Sequence, residues 1–232
     1  MFPERFELHI GPVIDNFVDW LLMEHGGVFD AVSGGILRLL LQIEAALRAL
    51  PWWLVIGLVG VTAWLLLRRW TAALSLMALM FMIGMFGLWA LAMDTMAIII
   101  AAVVLAVAIG VPVGIATAEW GRLRSIVVPV LDAMQTLPSF VYLIPAMMLF
   151  GLGKVPAVLA TLIYSVPPVI RLTDLGLRQV GAGVQEAAVA YGASRWQLLR
   201  EVRLPLAVPS ILAGVNQTTM MALAMVVIAS MI

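Results

Sequence analysis

The chain has 232 residues, 64% of them apolar and 11% charged, with no cysteine and a formal net charge of zero. Soluble domains carry roughly 45–50% apolar and about 25% charged residues, so the main solvent of this chain is lipid. That excludes a cytosolic enzyme, a nucleic-acid reader and a disordered chain, and the absent cysteines exclude disulfide and thiolate chemistry.

Residues 1–50 hold three basic and seven acidic groups, a net of −4, and residues 51–232 carry the compensating +4. The start lacks the basic stretch, short apolar run and small-residue cleavage site of a signal peptide. His9 and His25 lie outside the apolar segments and read as exposed. Within 36–50 (ILRLLLQIEAALRAL) the apolar residues cover most of a helix, and Glu44 and Arg48 form an i,i+4 pair. Arg38, Glu44 and Arg48 make it a poor span, so it reads either as a helix in the headgroup zone or as a spacer packed on the body.

A bilayer core takes roughly 17–25 apolar residues per helix, and six segments approach that length: 51–67, 72–93, 95–118, 126–152, 155–170 and 206–232. The fifth is short and interrupted by Pro167 and Pro168. Period-2 alternation is missing, which argues against a β-barrel. The expected fold is an all-α, polytopic transmembrane bundle: an N-terminal tail (1–50), two N-terminal helices (51–93) and a core (94–232) with a long loop at 171–205. Arg68 and Arg69, Arg122 and Arg124, and Arg171, Arg178, Arg195, Arg200 and Arg203 fall on one side, whereas Asp94 and Lys154 fall on the other. Arginine bias marks the cytoplasmic side, which places the tail outside. Trp52, Trp53, Trp64, Trp70 and Trp120 sit near span ends, as interfacial anchors do. Gly110-x-x-x-Gly114 would let two helices approach closely. Pro129, Pro138, Pro145, Pro156, Pro167 and Pro168 permit kinks in the fourth and fifth spans.

The single lysine, Lys154, is followed by Val155, so the chain cannot build a phosphate-cradling Gly-x4-Gly-Lys-Ser/Thr loop. No catalytic pattern of the His-Glu-x-x-His or Gly-x-Ser-x-Gly kind appears. The informative text is 185–209, QEAAVAYGASRWQLLREVRLPLAVP. It splits into two short helices. The first covers Gln185 to Tyr191, and Gly192 supplies a left-handed end. Ser194 caps the second, with Gln197 completing a capping box. Trp196, Leu198, Leu199 and Val202 give that helix an apolar face and Arg195, Arg200 and Arg203 a basic one, with Pro205 and Pro209 ending it at the membrane. The product is either a rigid knob suited to a partner's groove or an amphipathic linker lying on lipid.

Glu186-Ala187-Ala188, three residues, Gly192, nine residues, then Val202-x-Leu204-Pro205 resembles the EAA motif of the permease subunits of type I bacterial ABC importers. Residues 129–150, 165–171 and 213–232, with the acidic tail, are similar to the glycine betaine/proline permeases of that family, and the resemblance covers roughly 10–232. It implies a permease of the inner membrane whose EAA loop is a cytoplasmic coupling helix, with Glu186, Ala187, Ala188, Gly192, Ser194, Arg195, Leu204 and Pro205 docking on an ATPase. It further implies a homodimer, two ATPase subunits that use ATP and Mg, a periplasmic substrate-binding protein, and no cofactor, catalytic residue or metal in this chain. The cargo would be a compatible solute: glycine betaine, proline betaine, proline, choline or a related quaternary amine such as carnitine. The text stops in apolar residues at Ser230-Met231-Ile232, where the family continues with a Gly-rich turn and at least one more helix, so the expectation is a core lacking the last helix or helices.

Polar groups inside spans are the candidates for the translocation pathway: Asp132 and Gln135 in the fourth, Asn216 and Gln217 in the sixth, with the aromatic faces of Phe140 and Tyr142 for a quaternary amine. Bonding between helices is the alternative role for these polar groups, and Asp132, eight residues after Arg124, falls near the interface. Two other functions stand beside the importer. An ion-coupled secondary transporter of a small zwitterion would use Asp132 as its buried relay. A non-transporting membrane scaffold explains the hydrophobicity but not the intact EAA spacing.

Overall fold

A computed structural model describes residues 10–230, which are helices joined by short turns, with no strand among them. The elements are α1 (Ile10–Ala49), α2 (Trp52–Leu67), α3 (Trp70–Met85), α4 (Trp89–Glu119), α5 (Gly121–Thr136), a 3-10 turn (Ser139–Tyr142), α6 (Leu143–Phe150), α7 (Lys154–Arg178), α8 (Ala182–Ala190), α9 (Arg195–Gln197), a π-helical stretch (Leu198–Arg203) and α10 (Leu204–Ala229). Four helices are long and apolar enough to cross a membrane, and a fifth crossing results if α5 and the helix after it count as one. The six expected spans therefore exceed what the described residues form.

The differences have local causes. The predicted 72–93 span is cut by a turn at Gly87, which has φ +73, and its last residues join 95–118 in one 31-residue helix, α4. The predicted 126–152 span folds back by 114°. That bend falls at Leu137–Pro138, where the residue before proline is pushed out of the helical region. The expected break at Pro167–Pro168 is absent: α7 runs unbroken for 25 residues, because α4 and α10 clamp it on both sides. Residues 10–49, expected as a mixed tail, form one 40-residue helix. His25 lies exposed beside the Trp20 ring, and His9 lies outside the described residues.

The core is α7 between α4 and α10, and it is stitched by small residues. A Cβ on Gly110 would stand 2.3 Å from Val169 Cγ1, and one on Gly114 would stand 2.5 Å from Thr173 Cβ and 2.8 Å from the Ile170 carbonyl. The spacing at 110 and 114 thus does bring α4 against α7. On the other side Gly176 meets Ser210, and Gly214 meets the Val169 backbone. The α2–α3 hairpin stands outside this core and packs chiefly on itself. Trp52, Trp53, Trp64, Trp70 and Trp120 are all exposed.

The C-terminal part of α1 docks on one end of the core. Ile36 and Leu40 are buried with Ala97, Ala101 and Ala102 of α4 and Val155 and Val158 of α7. Phe29 sets its ring edge-on to Phe150 at 5.5 Å. Four charges close this contact. Arg48 bridges Glu44 and Asp94, each at 2.7 Å, and Lys154 bridges the same two carboxylates at 3.0 and 3.3 Å. The i,i+4 pair of Glu44 and Arg48 was legible in the sequence; its meeting with Asp94 and Lys154 was not.

Candidate functional site: the α8–α9 corner and the charged helix ends

The opposite end of α7 leads into the EAA text. Gln185 Nε2 donates to the Val180 carbonyl at 2.8 Å and pins α8 to the turn before it. The α8 C-terminus closes with two bonds: Gly192 N–H donates to Val189 O at 2.9 Å, and Ala193 N–H to Ala188 O at 3.0 Å. These are the 5→2 and 6→1 bonds of a Schellman motif, and Gly192 has the left-handed φ of +87 that it requires. Two residues on, Ser194 Oγ accepts from Gln197 N–H at 3.3 Å and Gln197 Oε1 accepts from Ser194 N–H at 2.9 Å. The corner between α8 and α9 is thus fixed by a closed C-cap and a reciprocal N-cap, with both helix ends satisfied by their own chain.

The second helix does not stop at the membrane. α9, the π stretch and α10 form one continuous helix from Arg195 to Ala229, with Pro205 in its first α-helical turn and Pro209 inside it. The π stretch lies just ahead of Pro205, where the proline ring would otherwise press on the carbonyl four residues back. Because α7 also runs unbroken to Arg178, the 35-residue loop expected at 171–205 is mostly helix, and the corner is held on two long core helices.

Glu186, Ala187, Gly192, Ser194, Arg195 and Pro205 are exposed, and Ala188 and Leu204 are half-buried. Tyr191 is the most open of the large residues here, at 94% exposure. Leu199 is buried against Leu177 and Ala207, with Leu204 beside it. Trp196, expected on that apolar face, instead stays exposed. Arg203, expected on a basic face, turns inward: it pairs with Glu119 and donates to the Leu177 carbonyl at 3.4 Å. Arg195 and Arg200 keep the outward, basic role.

Two more ion pairs fasten the same end. Arg124 of α5 meets Asp174 of α7 at 3.1 Å, and Arg171 of α7 pairs with Asp132 of α5. With Arg203–Glu119 they tie α4, α5, α7 and the π stretch that runs into α10 together. The sequence reading placed Arg171 in a loop and so missed its pairing with Asp132.

The pathway candidates do not converge in the single chain. Asp132 is engaged by Arg171, and Gln135, Phe140, Asn216 and Gln217 are exposed. Tyr142 donates its hydroxyl to the Met134 carbonyl across the α5 bend and sets its ring 6.1 Å from Tyr164. That hydrogen bond holds the bend. The neighbouring Thr218 is fully buried and its hydroxyl has no partner among the described residues.

Residues 110–232 match the family described as binding-protein-dependent transport system inner membrane component. The glycine betaine transport system permease protein OpuAB of Bacillus subtilis is 41% identical over 96% of this chain and 79% of that protein. The glycine betaine/carnitine transport permease protein GbuB of Listeria monocytogenes is 40% identical over 94% of this chain and 78% of its own length. The glycine betaine/proline betaine transport system permease protein ProW of Escherichia coli is 44% identical over 93% of this chain, which spans 60% of it. The family match takes in the glycine-stitched core, the capped corner and the helix that leaves it, and the chain therefore belongs to the inner membrane components of binding-protein-dependent transport systems.

Proposed function

We propose that this chain is the membrane-spanning permease subunit of an ATP-driven importer that carries a compatible solute of the betaine class into the cell. The cargo class rests on the relatives, whose names include glycine betaine, proline betaine, carnitine and trimethylamine N-oxide transport. One observation carries the mechanism: a corner stiffened by caps on both sides, with Glu186 and Tyr191 outward, is continuous with α10 and joined by a short turn to α7.

The chain performs no covalent step. Its partners are two copies of a cytoplasmic ATPase, which use ATP and Mg, a second copy of this chain, and a periplasmic binding protein. The corner end is cytoplasmic, and the end with Asp94 and Lys154 faces the binding protein, as does the α1 contact docked there. Moving a two-state equilibrium from 1:99 to 99:1 takes about 5.5 kcal/mol. A flexible loop would dissipate that work as local motion, whereas a capped corner rooted in α7 and α10 passes it to the core. The ion pairs joining α4, α5, α7 and α10 make that end move as a unit. An ion-coupled carrier receives no support, since Asp132, its relay, is paired with Arg171.

The test exploits the cysteine-free background. A single cysteine at Val189 should crosslink to the ATPase. Proteoliposomes with all subunits should take up glycine betaine only with ATP, and Gly192→Pro and Glu186→Lys should each abolish uptake while the protein remains in the membrane. Uptake that persists without the ATPase, or normal uptake by both variants, overturns the proposal.

A further inference from the structure

The structure assigns Arg124, Asp132, Arg171 and Asp174 a coupling role: they make α5, and the bend that ends it, follow α7. The inference rests on the importer reading above and names the residues that carry the corner's motion onward. Apolar packing does not hold α5 in place. Of its 16 residues only Leu131 is buried. A cavity of about 200 Å3 opens between α5 and the core, with Thr117 of α4, Val127, Val128 and Leu131 of α5, and Ile170 and Leu175 of α7 on its walls. Contact alone would therefore transmit little of a movement of α7.

Charge crosses that gap instead. Arg124 Nε of α5 stands 3.1 Å from Asp174 Oδ2 of α7, and Arg171 of α7 pairs with Asp132 of α5. The polarity is opposite in the two pairs, since α5 gives the cation to one and the anion to the other. The two anchors on α5 are eight residues apart, about 12 Å along a helix. One pair would be a pivot, whereas two at that spacing stop α5 from swivelling. The first is the harder to break. Asp174 is 6% exposed and its Oδ1 has no partner among the described residues, so losing Arg124 would strand a buried charge. The second is more open, with the Asp132 side chain 59% exposed. Arg171 and Asp174 lie in the last turns of α7, directly ahead of the turn into α8, so motion of the corner reaches them first. At the far end of α5 the bend is held by the Tyr142 hydroxyl on the Met134 carbonyl, with Gln135 and Phe140 exposed beside it. α5 is thus a strut tied by charge near the corner, and its other end carries two of the pathway candidates.

Proteoliposomes of the assembled importer separate coupling from mere anchoring through the solute carried per ATP hydrolysed. Asp174→Asn should lower that ratio about tenfold while hydrolysis continues, because the corner still docks but α5 no longer follows. Asp132→Asn, at the open pair, should lower it about threefold and serves if Asp174→Asn does not fold. Asp132→Arg combined with Arg171→Asp rebuilds a pair of reversed polarity and should return the ratio to within about twofold of the parent. A second readout needs no transport. Spin labels on Thr136→Cys and Gln179→Cys, in the cysteine-free chain in nanodiscs, should give a narrow distance distribution in the parent, a broad one in either Asn variant and a narrow one again in the exchanged pair. The inference is overturned if the Asn variants keep the parent's ratio, if hydrolysis and uptake fall together, or if the label distances do not change. A parent that shows no ATP-dependent uptake would sink the importer reading instead, and the label distances would still decide whether charge holds α5 to α7.

Discussion

The α4–α7–α10 core and the α2–α3 hairpin are both helical and strongly apolar, yet they are held by different forces. α2 and α3 are almost uniformly apolar, and most of their large side chains are exposed. α7 carries Thr161, Ser165, Thr173, Asp174, two internal prolines and several glycine contacts, and it is the most buried helix of the chain. In water, apolar residues go inside; in lipid, tails are as apolar as leucine, and burial follows close backbone approach and polar satisfaction. Thr161 illustrates the second factor. It is fully buried and returns its hydroxyl to the Ala157 carbonyl at 2.7 Å.

Substitutions that add volume should separate the two regions most sharply. Gly114→Leu drives a side chain into Thr173 and the Ile170 carbonyl, and should cost about 3 kcal/mol or more, read as loss of monodisperse protein in detergent. Gly57→Leu in α2 meets nothing within 4 Å, and should stay within about 0.5 kcal/mol. Equal damage from both would erase the distinction between core and hairpin.

The next effect tests how α1 is attached. Glu44 is almost wholly buried between Arg48 and Lys154. Glu44→Gln leaves those cations underpaired and should lower stability by about 1–3 kcal/mol. Arg48→Ala, whose side chain is half exposed, should cost clearly less than Glu44→Gln, and its effect should fade with added salt. The reverse ranking in thermal unfolding would mean that the cluster is a surface ornament and not the clasp of α1.

Smaller still are changes at the α8–α9 corner. Gly192→Ala must adopt φ +87, and should cost roughly 1–2 kcal/mol locally. Ser194→Ala removes one capping bond and should cost about 0.5–1 kcal/mol. Both should lower transport more than they lower the melting temperature, because they loosen the corner and leave the core untouched. Leu66→Ala, at an 83% exposed position on the hairpin, should change neither measurement, with a stability effect within about 0.5 kcal/mol.

The corner was legible because its determinants are short-range. Gly192, Ser194 and Gln197 sit within six residues, and each does through backbone hydrogen bonds what its chemistry predicts. The charge cluster at the other end was not legible, since Glu44 and Lys154 are 110 positions apart and nothing local ties them. Trp196 and Arg203 show the same limit on a smaller scale. Helical periodicity put Trp196 on an apolar face and Arg203 on a basic one, but Trp196 stays exposed and Arg203 turns in to Glu119 and the Leu177 carbonyl.

The sequence by itself determined that the solvent is lipid, that the chain is all helix, and that a capped corner interrupts the apolar text at 185–205. Apolar content, Gly at a left-handed position and Ser-x-x-Gln at a helix start act within a few residues, so they need no fold to be read. The tertiary structure alone decided where the helices break and which polar groups are spent. Pro167 and Pro168 lie inside an intact α7 because α4 and α10 hold it, while Pro138 marks a sharp bend. Asp132 and Arg203 are bound into ion pairs because α4, α5, α7 and α10 meet at one end. The clamp on α7 depends on backbones brought together at Gly110, Gly114, Gly176 and Gly214, a closeness that no local pattern contains.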